Sequence, residues 1–153
     1  MEILVRSTVR RPGVSLPALR SLAGAVLRGE HRTGRDVGIQ LVGRRAMRTL
    51  NERYTGRRGP TDVLSFEMAP EAFSGDVLGD VFVCVDLARS QARALGEPVR
   101  DAVARLVIHG LLHLTGYDHT RGRAAAARMD ARQARYLARW KAGRAGRRKA
   151  AAR

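Results

Sequence analysis

Three of the four histidines in this chain fall within eleven residues, His109-Gly-Leu-Leu-His113-Leu-Thr-Gly116-Tyr-Asp-His119. On a helix, residues i and i+4 share a face with side chains about 5–6 Å apart, so His109 and His113 can grip one ion. A tight turn at Gly116 would bring His119 round as a third ligand. Three protein ligands with the fourth position open describe a catalytic zinc site, whereas a structural site is closed by four. The pattern predicts one bound Zn2+ ion and a hydrolase, although other divalent first-row ions also suit three imidazoles. Asp118 is placed to orient a ligand from behind. His31, between Gly29 and Gly34, reads as a surface histidine.

The same spacing occurs in the metzincin proteases, H-E-x-x-H-x-x-G-x-x-H, with one change. The glutamate that serves them as general base is Gly110 here. Proton transfer by a positioned side chain is worth about 10²–10⁴-fold, and peptide hydrolysis, with its poor leaving group, suffers most from the loss. Proteolysis is therefore disfavoured. Lewis-acid polarisation of a phosphoryl or carbonyl oxygen needs no such glutamate.

These histidines need a rigid support, and the hydrophobic pattern supplies one. A first strand is expected within Glu2–Arg10. A helix opens at Ser15-Leu-Pro17, with Leu16, Leu19, Leu22, Val26 and Leu27 at helical spacing. Val37 to Val42 alternates as a half-buried strand, and a short helix follows with Met47, Leu50 and Tyr54 on one side. Thr55 to Pro60 is a loop by composition. Asp62–Phe66 and Val77–Val85 read as strands separated by a loop containing Pro70 and Gly75. A helix from Asp86 pauses at Gly96-Glu-Pro98. The next, from about Asp101 to Leu114, is apolar nearly all round and belongs in the core, with the metal motif at its end. A last helix, near Ala124 to Trp140, carries Met129, Tyr136, Leu137 and Trp140 as a packing stripe. The expected fold is α+β, a small mixed sheet of about four strands packed with helices. Residues 1–141 form one metallohydrolase domain, and residues 142–153 a basic, disordered tail by composition.

The net charge of +15 is unevenly placed. Residues 121–153 hold twelve Arg or Lys against one acid, Asp130, so eleven of the fifteen excess positive charges lie there. Such an excess attracts polyanions, nucleic acid above all. A solvated tail produced by G- and C-rich codons is the plainer reading, since only two of the 29 basic residues are lysine. Cys84 is the single cysteine, inside an apolar run, which suits a reducing compartment. No stretch approaches 18 apolar residues, so a cytoplasmic protein without a membrane partner is expected.

The histidine motif resembles the signature of the YbeY family, bacterial zinc-dependent endoribonucleases that mature ribosomal RNA. Two further blocks resemble that family: Leu50-Asn51, Tyr54 and Gly56 followed by Pro60-Thr-Asp-Val-Leu-Ser-Phe66, and Gly79-Asp80-Val81. The resemblance runs from about residue 36 to 119. It implies a single-strand-specific endoribonuclease acting in 16S rRNA 3′-end maturation and ribosome quality control. The implied zinc ligands are His109, His113 and His119, and the implied partners are single-stranded RNA and the small ribosomal subunit.

One position departs from the family. Members commonly carry an arginine, thought to act on the RNA phosphate, just after the motif tyrosine; this chain has Thr55. Arg57 is the candidate catalytic substitute and Arg58 a candidate substrate contact on the same loop. Tyr117, inside the metal loop, is either a substrate contact or a packing residue. Thr61 and Asp62 are turn residues or substrate contacts, Ser65 is no nucleophile, and Asp80 reads as structural. The alternative to a nuclease is a non-catalytic RNA-binding assembly factor with a fold-supporting metal, which Thr55 favours. A metallopeptidase is the third reading, disfavoured by Gly110.

Overall fold

The computed structural model describes residues 1–68 and 77–151, with side chains through Gly143. The loop expected around Pro70 and Gly75 lies outside the described residues. The elements run β1 (Ile3–Ser7), α1 (Leu16–Gly29), β2 (Asp36–Val42), α2 (Arg44–Thr55), β3 (Val63–Glu67), β4 (Val77–Cys84), α3 (Val85–Leu95), α4 (Val99–Leu114) and α5 (Arg123–Ala151). The α+β expectation holds, and the strands form one mixed sheet in the order β1-β2-β4-β3. β1 with β2 and β2 with β4 run parallel, while β3 pairs antiparallel with β4 and forms an edge.

Period-2 alternation decides which face of the sheet is buried. Val37, Ile39 and Leu41 of β2 and Val81 and Val83 of β4 face α1 and α4 and are nearly inaccessible. α1 begins where Ser15 caps it, its hydroxyl oxygen accepting from the Ala18 amide at 3.2 Å. Its Leu19, Leu22, Val26 and Leu27 then close on the sheet.

The centre of the molecule is α4, which packs on β3, β4, α1, α3 and α5. Val103, Val107, Ile108, Leu111 and Leu112 are fully buried around it. Burial of each large apolar side chain stabilises by about 1.5–3 kcal/mol, so a helix apolar on all sides goes to the interior. α5 closes over it with the expected stripe: Met129, Tyr136 and Trp140 are buried, and Leu137 packs beside them. Trp140 Nε1 donates to the buried Asp101 carboxylate at 3.0 Å, tying α5 to the first turn of α4.

Two details differ from expectation. The backbone of α5 continues to Ala151, where composition alone predicts disorder from residue 142; alanine, arginine and lysine are strong helix formers, and propagation from a packed helix is cheap. Tyr54 does not pack inward with Met47. α2 covers the far face of the sheet only in part, which leaves the Tyr54 ring 57% exposed.

Candidate metal centre

The last two turns of α4 present His109 and His113 side by side. Gly116 then turns the chain with φ +105, a backbone conformation that glycine adopts without penalty, and His119 follows. The Nε2 atoms of His109 and His113 stand 3.1 Å apart, and ligand nitrogens of all three rings lie within 4.8 Å of one another. Two ligands on a tetrahedral zinc at about 2.0–2.1 Å are separated by about 3.3 Å, so the pair is already spaced to share an ion.

The outer nitrogens decide the protonation. His113 Nδ1 lies 3.0 Å from the Tyr117 carbonyl, which can only accept, so Nδ1 carries the proton. His109 Nδ1 donates likewise to Gln133 Oε1 at 2.9 Å. With each Nδ1 engaged by an acceptor, the two Nε2 atoms are left to face each other, an arrangement suited to a cation between them. Burial, reinforced by His109 and His119, holds the His113 pKa below the usual imidazole range and keeps it in the neutral, ligating form. This donor set fits a divalent metal.

The histidines open onto a cleft of about 680 Å³ whose opposite wall is the edge strand β3. Gly110 explains why no glutamate stands next to His109. A Cβ there would meet Val81 Cγ1 at 2.5 Å, Ser65 Oγ at 3.1 Å and Val63 Cγ2 at 3.2 Å, so α4 touches the sheet at this residue. The Ser65 hydroxyl donates to the Gly110 carbonyl at 2.9 Å, which suits a packing role and not a nucleophile. Asp62 lines the cleft, but its carboxylate accepts from the Val63 amide and from Gln91 Nε2. Asp80 lies on the other face of the sheet over Gly38, where burial raises its pKa.

Two sequence-derived placements need correcting, and the packing alternative for Tyr117 holds. Asp118 does not turn back to a histidine: its carboxylate accepts from the Thr120 amide at 2.9 Å and pairs with Arg121 at 3.4 Å. Arg57 and Arg58 are not among the residues that line the cleft; both are exposed on the loop after α2. The arginine that does line it is Arg121. Tyr117 lines the cleft too, yet its ring packs against the core and its hydroxyl accepts from Arg132 Nε at 3.2 Å.

Sequence reasoning missed Arg121, Glu67 and Gln133. Arg121 follows His119 by two positions, and Glu67 shares the strand period of Val63 and Ser65, so both carried a local signal. Gln133 carried none, because only the packing of α5 brings it to His109.

The profile of the YbeY family, described as Endoribonuclease YbeY, matches residues 14–141. The chain belongs to the YbeY family. Endoribonuclease YbeY of Anaeromyxobacter sp. (strain Fw109-5) is 42% identical over 134 residues, covering 88% of this chain and 65% of that protein, so this chain spans less than two thirds of it. The YbeY of Geobacter metallireducens is 33% identical over 137 residues, covering 87% and 91%. A Thermotoga maritima protein solved in solution has a similar fold, with a TM-score of 0.65 and 25% identity over 92% of this chain and 93% of that one. Thr55 donates to the Asn51 carbonyl or side chain, and its oxygen accepts from the Arg57 amide. Thr55 thus folds the loop. Among the described residues, no helix is long and apolar enough to cross a membrane.

Proposed function

We propose that this protein is a zinc-dependent endoribonuclease that cuts single-stranded RNA and serves in maturing the 3′ end of small-subunit ribosomal RNA. The observation that carries the reading is the facing pair of Nε2 atoms, 3.1 Å apart in a cleft that His119 also lines. The names of the YbeY relatives support RNA as the substrate.

In this reading His109, His113 and His119 hold one zinc ion, which supplies Lewis-acid polarisation of a phosphoryl oxygen when bound. Arg121 takes the part of the family arginine. Its guanidinium, 80% exposed and tethered to Asp118, offers paired donors to a non-bridging phosphate oxygen as charge develops there. Arg57 and Arg58 hold the strand outside the cleft and not at the scissile bond. Tyr117 braces His113 through its carbonyl. Gly110 leaves no place for a protease-type base, which argues against peptide hydrolysis.

The test is incubation of metal-loaded and chelated protein with single- and double-stranded RNA, with elemental analysis of the bound ion. Metal-dependent cutting of the single strand is expected. A metal-loaded protein that cuts no RNA, yet restores ribosome maturation in cells as His113→Ala, would establish the non-catalytic assembly factor instead.

A further inference from the structure

The face of β3 turned away from the metal carries a second feature that could bind a nucleic acid. Phe66 lies on that face, opposite to Val63 and Ser65, and the Tyr54 ring packs on it with centroids 5.0 Å apart and planes at 60°. Phe82 braces Phe66 from behind at 5.7 Å. Tyr54 is the exposed aromatic ring among the described residues, and it rests on Phe66. The Arg53 guanidinium lies over the same ring, 5.5 Å from its centroid, in a cation–π contact on the solvent side that an incoming base would displace or share.

The surroundings are strongly basic. Residues 44–61 contain six arginines and one acid, Glu52. Arg44, Arg45, Arg48, Arg53, Arg57 and Arg58 are exposed, and none is in an ion pair among the described residues. A rigid exposed ring amid unpaired guanidinium groups matches the needs of unpaired nucleotides: a π-face for the base and cations for the phosphates. A protein partner would have to be acidic to match this charge.

β3 links this patch to the metal cleft. The Cys84 amide donates to the Asp62 carbonyl at 2.8 Å and the Met68 amide to the Leu78 carbonyl at 3.3 Å. Even-numbered residues of the strand therefore point their backbone groups at β4, and those of Ser65 and Glu67 point outward from the edge. That edge borders the cleft on one side and the Phe66–Tyr54 pair on the other.

We propose that Tyr54 and its arginines form a second RNA subsite: one unpaired base stacks on the Tyr54 ring, Arg53, Arg57 and Arg58 hold the adjoining phosphates, and the strand crosses the free edge of β3 to the histidines. The subsite deepens the nuclease reading and rests on it for its substrate. It also gives a physical ground for single-strand preference, since a paired base has no free face to offer the ring.

Binding is measured on the full chain with its metal chelated, using a short labelled oligoadenylate and the same strand in duplex. Tyr54→Leu keeps an apolar contact with Phe66 but loses the π-face; circular dichroism checks that it is folded. It is expected to bind the single strand about tenfold more weakly and the duplex nearly as before, while Tyr54→Trp equals or exceeds the wild type. Arg57→Ala with Arg58→Ala lowers the slope of log affinity against log salt by about 1.4. Wild-type affinity of Tyr54→Leu for the single strand overturns the subsite and leaves the patch to an acidic protein. An equal loss for single strand and duplex overturns the stacking. Because no cleavage is read, a chain that binds this way but cuts nothing refutes the nuclease reading and leaves the subsite standing.

Discussion

Gln133 on α5 accepts from His109 Nδ1 at 2.9 Å, so a helix that adds no histidine to the cluster orients one of its rings. The neighbouring residue does the same at one remove. Arg132 donates to the Tyr117 hydroxyl, and the Tyr117 carbonyl orients His113. Glu30, at the end of α1, anchors Arg132 at 3.2 Å and accepts from the Tyr136 hydroxyl. Both facing Nε2 atoms are thus aimed by contacts to α5.

Removing the Gln133 contact should weaken metal binding without unfolding the chain. Loss of such an outer partner typically costs about 10–100-fold in metal affinity. Gln133→Leu is expected to lose affinity in that range, and Gln133→Glu, which keeps an acceptor, to retain it. Competition with a chromophoric chelator measures both; wild-type affinity in Gln133→Leu would show that His109 needs no such support.

Gly110→Ala should destabilise the fold. A methyl there meets Val81 Cγ1 at 2.5 Å, and both sides of that contact are core. Overpacking costs about 1–3 kcal/mol, offset by up to about 1 kcal/mol of helix propensity. The melting temperature is expected to fall by about 2–8 °C. Gly110→Glu should lose the native fold and create no peptidase. A rise in Tm on Gly110→Ala would mean that α4 can move off β4 freely.

Tyr136 gives an alkaline prediction. Burial, then its hydrogen bond to Glu30, pushes its pKa up to about 12 from the usual 10. Between those values the unfolded chain has lost the proton and the folded one keeps it, so this contribution is present below pH 10 and lost as pH rises to about 12. Tyr136→Phe removes it along with the hydrogen bond. Urea midpoints measured from pH 9 to 12 should fall less steeply in Tyr136→Phe than in the wild type; parallel curves would assign the alkaline loss to other groups.

The spacing of His109, His113 and His119 announced a metal site because helix periodicity and one glycine turn are local rules, and the apolar run of α4 announced where it would sit. The sheet order was less legible: β3 lies at the edge, beside β4 and not β2, through pairings that no local pattern records. Gly110 was read as a missing base, but the contact with Val81 and Ser65 that demands glycine depends on how closely α4 approaches the sheet. Gln133 was invisible for the same reason. Arg57 and Arg58 were chosen for nearness in sequence to Thr55, and nearness in sequence does not bring them into the cleft lining.

Arg121 should carry the catalytic contribution assigned on sequence grounds to the loop arginines. It lines the cleft beside His119, and its partner Asp118 holds it at 3.4 Å without burying it. A donor aimed at developing oxyanion charge acts mainly on kcat, and its removal costs about 10²-fold in favourable cases. Arg121→Ala is expected to lower kcat toward that extent with a modest change in KM. Arg121→Lys should recover only part, because an ammonium keeps the charge but not the planar fork. Arg57→Ala and Arg58→Ala, singly and together, should raise KM and leave kcat near the wild-type value, since they grip the strand away from the bond that breaks. Steady-state cleavage of a labelled single-stranded RNA separates the two patterns. A collapse of kcat in the loop variants with Arg121→Ala unaffected would return the catalytic guanidinium to the loop.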